Sequence, residues 1–351
     1  MPLSTRIVAV EPRKIAYEDF VLPVPGPGQV LARTVISGIS HGTEMTAFLG
    51  TSPMIERTFG VGGDRVFVDK TADDPAFYPF RYLGYDAVGI VEAVGAGVAN
   101  FAEGDRIWCA ARHQTRFLFD AATEEAAVLA DGVANEAAIM TNLTSVALGA
   151  TNDAEIKLGD AVVVVGGGVI GQLIVQMARL SGARTVFLVE PIASRRAFAA
   201  ARTSIVPIDP ADGMPARQVS ALNGGSPPDV VIEASGSVHG LQSALQTAGV
   251  GGTVIAAGFY AGNASALIMG EEFLHNRITI KASMTVWGCP SRFPERWNRA
   301  RVWREALHLL EDNRLNLEGF VSECFPFTQA QAAYEAIAGA PADHMKVAFV
   351  Y

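Results

Sequence analysis

Hydrophobic positions along this chain recur with two different periods, and the switch between them is sharpest over residues 161–190. Ala161 to Val165 is an unbroken apolar, β-branched run, which predicts a parallel strand buried on both faces. Past a glycine-rich turn, Ile170, Ile174, Met177 and Ala178 recur at helical spacing, and Gly182 can stop that helix. Thr185–Val189 then reads as a second strand. The alternation continues with a strand at Asp229–Ala234, a helix over His239–Ala248, a strand at Thr253–Ala257 and a last parallel strand at Arg277–Ala282.

Upstream the pattern is different. Thr5–Val10 and Val30–Thr34 read as strands flanking a Pro/Gly cluster that denies a helix. Residues 36–50 run from a loop into a short helix carrying Met45, Phe48 and Leu49, and residues 51–80 read as a loop rich in Pro, Asp and Gly. Ala87–Val94 and Arg106–Cys109, punctuated by Gly89, Gly95, Gly97 and Gly104, suggest a small closed sheet. From about 122 to 150 the pattern is helical and alanine-rich. Near the end, Trp303, Ala306, Leu307 and Leu310 mark an amphipathic helix, with Trp297 and Trp303 expected in the core.

The turn between the first buried strand and its helix satisfies G-x-G-x-x-G with Gly166, Gly168 and Gly171. In a dinucleotide-binding reading these glycines permit the tight turn, the approach of a pyrophosphate and close helix–strand packing. Val169 and Ile170 open the helix, whose free N–H groups face the phosphates. Glu190 stands about 20 residues on, where it can accept hydrogen bonds from ribose hydroxyls. Such a motif alone is weak among 35 glycines. Strand, helix and acid together make it specific, against the alternative of a glycine turn that binds nothing. Ser235, Gly258 and Phe259, at the ends of two later strands, complete the expected cofactor set. A carboxylate at 190 repels a 2′-phosphate and favours NAD, while Arg195 and Arg196 close behind leave NADP possible.

With 351 residues, half of them hydrophobic and 18% charged, the chain can bury cores for two domains. A net charge of −9 argues against nucleic acid or an anionic membrane as the main partner. Cys109, Cys289 and Cys324 have no disulfide or zinc-ribbon spacing. The first residues lack the apolar core of a signal peptide, so a cytoplasmic protein is expected.

Five stretches carry a family resemblance: SGISHGTE (37–44), GYDAVGIVEAVGAGVANFAEGDRIW (84–108), VVVVGGGVIG (162–171), DVVIEASGS (229–237) and GGTVIAAGF (251–259). The chain resembles the medium-chain dehydrogenase/reductase superfamily over essentially its whole length. The resemblance implies an α/β fold in which a doubly wound Rossmann domain, 142–285, is inserted into a GroES-like β-rich catalytic domain, 1–141 plus 286–351. It also implies homodimers or homotetramers, with sheets joined through the last Rossmann strand, and an Arg beside the adenine, here Arg195.

The departures point to a branch without metal. Where zinc members place an early Cys, the His of Gly-His-Glu and a third Cys or Glu, this chain has Ser40 or His41, Tyr85 and Met140. Catalytic zinc needs about three N, S or O protein ligands, and only His41 remains a good one. No metal is therefore expected, the alternative being an unusual site using His41 with Asp86 or Glu44. SGIS-x-GTE, Gly84-Tyr85-Asp86 and the Phe259-Tyr260 pair after Gly258 are most similar to the bacteriochlorophyllide dehydrogenase-like group.

Without zinc, a side chain must handle the proton as hydride moves. Tyr85 can donate from its phenol, or merely fill the vacated metal space. His41 suits acid–base work by its intrinsic pKa, with an N-capping or packing role as the alternative. Thr43 can relay protons. Glu44 reads as pairing within its domain, Asp86 as a tuning group and His113 as a solvated loop histidine. The loop 51–80 and the segment 285–297 are expected to shape the pocket. These readings converge on an NAD-dependent, zinc-independent oxidoreductase acting on a small-molecule alcohol or carbonyl. The alternatives are an NADPH-dependent reductase of activated C=C bonds and a dinucleotide-binding protein without turnover.

Overall fold

In a computed structural model the chain divides into two compact units, residues 1–140 with 318–351, and residues 141–317. Residues 61–64, 124 and 290–294 lie outside the described residues, and with them parts of the two segments expected to shape a pocket.

The first unit opens with β1 (Leu3–Glu11), β2 (Lys14–Val21) and β3 (Gln29–Gly38), then α1 (Thr43–Leu49). The hairpin β4 (Arg57–Phe59) and β5 (Phe67–Asp69) falls where only a loop was expected. There follow β6 (Ala87–Val94), β7 (Arg106–Cys109), β8 (Arg116–Asp120), β9 (Ala126–Val128) and α2 (Asn135–Ala138). Strand β9 replaces the first part of the helical stretch expected from 122, because Ala126–Val128 pairs with β7.

The second unit contains α3 (Thr141–Asp153), β10 (Ala161–Val165), α4 (Val169–Leu180), β11 (Thr185–Val189), α5 (Ala193–Ala200) and β12 (Val206–Ile208). It continues through α6 (Pro215–Leu222), β13 (Val230–Glu233), α7 (Val238–Thr247), β14 (Thr253–Ala256), β15 (Thr279–Ala282) and α8 (Arg299–Glu311). The chain then returns to the first unit as β16 (Val321–Pro326), α9 (Ala330–Gly339) and β17 (Lys346–Val350).

The return comes later than residue 286, the expected boundary. Helix α8 packs on α3 through Val302, Ala306, Leu307 and Leu310, so 286–317 group with the parallel sheet. The buried aliphatic on that face is Val302, while Trp303 and Trp297 are only half-buried, contrary to expectation.

In the first unit a seven-stranded sheet runs β16-β17-β3-β6-β7-β9, with β8 also paired to β3, beside the two-stranded pairs β1-β2 and β4-β5. Its apolar cores gather Ile7, Phe48, Tyr334 and Phe349 in one cluster and Val30, Ile107, Phe117 and Phe119 in another. The second unit is a six-stranded parallel sheet in the order β12-β11-β10-β13-β14-β15. All five residues of β10 are buried, as its β-branched run requires of a strand covered on both faces. The strand order reverses between β10 and β13, and open α/β sheets bind ligands beyond the carboxyl ends of the strands at such a point. Among the described residues no helix is long and apolar enough to cross a membrane.

Candidate functional site

At the carboxyl end of β10, Gly166 adopts φ +100°, and a Cβ there would lie 2.6 Å from the Ser235 nitrogen. A Cβ on Gly171 would lie 1.8 Å from the Gly166 carbonyl oxygen, so α4 approaches the turn more closely than any side chain allows. Gly168 is different. A Cβ there meets no heavy atom within 4 Å, so the space above it is open. Val169 and Ile170, both half-buried, form the first turn of α4, whose leading N–H groups have no intrahelical acceptor.

Glu190 is buried and already engaged by the backbone. Its carboxylate accepts the Gly167 N–H at 2.6 Å and the Ile192 N–H at 2.8 Å. Each carboxylate oxygen keeps accepting capacity beyond one N–H. Gln172 Nε2 donates to the Gly167 and Arg195 carbonyls, tying the turn to α5, where Arg195 is half-buried. Arg196 is spent on Asp209 and on the Glu190 carbonyl.

The ends of β13 and β14 close the same region. Glu233, fully buried, accepts the Ser235 N–H at 2.7 Å, the Ser235 and Tyr260 hydroxyls and the Gly236 N–H. A Cβ on Gly258 would sit 2.3 Å from the Gly236 nitrogen, while Phe259 stays exposed. The structure thus brings Gly166, Gly171, Ser235 and Gly258 together, with Glu190 on the adjoining Gly167. In the sequence Glu233 was given no role and Tyr260 served only for the subgroup resemblance, although an acid ending the apolar run Val230–Glu233 was the available signal.

In the first unit, Tyr85 stands half-buried before β6. Burial raises its pKa, the charge of Glu44 adds to this, and the Ser40 and Thr43 hydroxyls facing the phenol oppose it. Thr43 opens α1, while His41 is half-buried in the turn between β3 and α1.

His113 is fully buried and not the solvated loop residue expected. Its Nε2 lies 2.9 Å from Glu44 Oε2 and its Nδ1 lies 2.7 Å from Ser37 Oγ, which in turn lies 2.9 Å from the Tyr351 hydroxyl. Glu44, 2% exposed, also accepts the Ser40 N–H at 2.8 Å and the Tyr334 hydroxyl at 2.7 Å. Burial pushes the Glu44 carboxyl up, but His113, Tyr334 and the Ser40 amide together leave it below the ordinary value. A serine–imidazole–carboxylate line of this kind can activate a nucleophile. Here Ser37 and His113 are 0% exposed, which leaves no access for an acyl substrate.

Asp86, also buried, accepts the Trp108 indole N–H at 2.9 Å. Lys346 lies buried in β17, where a Cβ on Gly38 would fall 2.5 Å from its Cε. Burial lowers its pKa, and the charges of Asp86 and Glu44 counter this.

At the positions that resemblance assigns to a metal, the donors are the Ser40 hydroxyl or the His41 imidazole, the Tyr85 phenol and the fully buried Met140 thioether, so at most one of the three is a good zinc ligand. Zinc prefers thiolate, imidazole and carboxylate, and a phenol held protonated does not supply an anion in their place. This donor set does not fit zinc.

Comparison with known proteins follows the same division. The alcohol dehydrogenase GroES-like domain family matches residues 26–148, and the zinc-binding dehydrogenase family matches residues 169–301. D-guloside 3-dehydrogenase of Shigella flexneri is 30% identical over 337 residues, covering 94% of each chain. A Sinorhizobium meliloti structure bound to NADP superposes with a TM-score of 0.78 at 21% identity, covering 100% of both chains. An alcohol dehydrogenase of Escherichia coli complexed with NADH gives 0.77 at 18% identity, covering 99% of both. The chain belongs to the medium-chain dehydrogenase/reductase superfamily, whose members are NAD(P)-dependent oxidoreductases.

Proposed function

We propose that this protein is an NAD-dependent, zinc-independent dehydrogenase that interconverts a secondary alcohol and a ketone on a polyol- or glycoside-like substrate. The observation that carries the reading is the donor set at the positions of a metal, in which Tyr85, half-buried before β6 with its phenol pKa raised by burial, stands in place of an imidazole ligand. The subgroup resemblance in SGIS-x-GTE and Gly84-Tyr85-Asp86 agrees with it, and the sugar-type substrate class follows the guloside-oxidising relative.

Gly166, Gly168, Val169, Ile170 and Gly171 would hold the pyrophosphate of the cofactor, Glu190 its ribose hydroxyls, Arg195 the adenine side, and Ser235, Gly258 and Phe259 the nicotinamide side. When bound, the nicotinamide supplies or accepts the hydride. Glu190 has a double duty in this scheme, since it also shapes the turn through Gly167 and Ile192. In the reducing direction Tyr85 gives its hydroxyl proton to the carbonyl oxygen of the ketone, and Thr43 and Ser40 stabilise the phenolate left behind. In the oxidising direction the same phenolate takes the alcohol proton. His41, in the adjoining turn, is the alternative group for that proton.

The test is metal analysis of purified protein beside NADH and NADPH titrations and a panel of secondary alcohols that includes methyl D-guloside. Zinc well below one equivalent, activity surviving a chelator and tighter NADH than NADPH are the expected results. Stoichiometric zinc lost together with activity would refute the metal-free reading. Tighter NADPH with turnover of enones would make the protein a C=C reductase. Tight cofactor binding with no turnover of any alcohol, carbonyl or enone would make it a binding protein.

A further inference from the structure

We propose that Glu44 and His113 are a positioning pair that holds the Ser40 and Thr43 hydroxyls against Tyr85 and so presents its phenol to the substrate oxygen. This rests on the reading of Tyr85 as proton donor.

Glu44 and Thr43 are neighbours on α1, so whatever fixes the Glu44 carboxylate fixes the start of that helix. Glu44 Oε1 accepts the Ser40 N–H at 2.8 Å, which pins the turn carrying the second hydroxyl. Its other oxygen is shared by His113 at 2.9 Å and the Tyr334 hydroxyl of α9 at 2.7 Å. His113 is itself immobile. Ser37 at the end of β3 holds its far nitrogen, and the Phe349 ring meets the imidazole edge-on at 5.0 Å between centroids. Four elements of the first unit (β3, α1, α9 and β17) therefore converge on one carboxylate–imidazole contact, which fixes the Ser40 turn and the start of α1 that carries Thr43, the two residues whose hydroxyls lower the Tyr85 pKa. Buried polar networks of this kind, with each member satisfied, specify one geometry. The Glu44 charge also acts on Tyr85 through space, so variants that keep that charge, at His113 and Tyr334, distinguish positioning from a purely structural staple.

The test uses the full chain labelled with 13C at the tyrosine Cζ, the Tyr85 resonance being assigned from Tyr85→Phe. Glu44→Gln keeps the shape but removes the charge and one acceptor site. It is expected to move the Tyr85 resonance while leaving NADH affinity within about twofold, and to lower kcat with methyl D-guloside and NAD by about tenfold or more, with a smaller change in KM. His113→Gln, whose amide N–H can still reach Glu44, should keep more of kcat than His113→Leu. Should Glu44→Gln fail to fold, Tyr334→Phe removes one donor to the same oxygen and should move the Tyr85 resonance less. A Tyr85 resonance unmoved in both His113→Leu and Tyr334→Phe overturns the proposal, as does equal kcat in His113→Gln and His113→Leu. If Tyr85→Phe retains the wild-type kcat while His113→Leu or Tyr334→Phe still moves the resonance, the pair stands and the proton-donor reading falls.

Discussion

Replacing Gly168 by alanine separates binding from folding. Gly168 sits at φ −70° and ψ −176°, a conformation open to any residue, and a Cβ there meets no protein atom within 4 Å. Alanine removes freedom from the unfolded chain, which stabilises by about 0.4–1 kcal/mol. It is also a poorer N-cap than glycine for α4, a loss of similar size. The two offset, so the melting temperature should stay within about 2 °C of wild type. A pyrophosphate approaching the N-terminus of α4 would meet the new methyl group directly. Losing one charge-assisted hydrogen bond costs about 1.5–3 kcal/mol, which raises the NADH dissociation constant about 10- to 150-fold. The assay is a calorimetric NADH titration with a thermal melt on the same preparation. NADH binding within about twofold of wild type would show that the cofactor does not pass over Gly168. A melt lowered by more than about 5 °C would show that protein fills that space.

Gly171→Ala should behave differently. Its Cβ would fall 1.6 Å short of the 3.4 Å needed for ordinary contact with the Gly166 carbonyl (3.4 less 1.8), so the helix start must shift. Overpacking of about 1–3 kcal/mol lowers the melting temperature by about 2–10 °C along with NADH affinity. Glu190→Ser removes the acceptor for the Gly167 and Ile192 N–H groups and the charge facing a 2′-phosphate. Paired titrations should show the NADH-over-NADPH preference falling by about tenfold or more. Because the Tyr85 pKa is raised, the phenol is protonated at neutral pH. Ketone reduction should then be flat between about pH 6 and pH 9, while alcohol oxidation rises by roughly tenfold per unit, and a pH-independent oxidation rate would exclude Tyr85 as the base. Glu18 is held down to about 2 from 4.5, first by its hydrogen bond to Arg81 and then by Arg6. A lowered folded pKa stabilises above the unfolded value, and that stability is lost as pH falls through the folded one. Melts of wild type and Glu18→Gln should therefore differ by a constant amount above about pH 5 and converge between 4.5 and 2.

The glycine turn between β10 and α4 was legible in the chain because its determinants are local. A β-branched run, three spaced glycines and an acid at the end of the next strand specify strand, turn and helix within 30 residues, and Gly166 and Gly171 are found in the tight contacts their spacing required. The expected return to the catalytic domain at 286 failed because α8 packs on a helix far upstream, a choice made by a buried face and not by any break in pattern. The same holds for the network around Tyr85. Ser37, Glu44, His113, Tyr334 and Tyr351 come from places up to 314 residues apart, and each alone reads as an ordinary polar residue on its own element. His113 read as a solvated loop histidine, yet the tertiary structure buries it between the Ser37 hydroxyl and the Glu44 carboxylate. Backbone conformation is written over a few adjacent residues and can be read from the sequence alone. Which distant side chains share a buried charge is decided only when the sheet and its helices close around them.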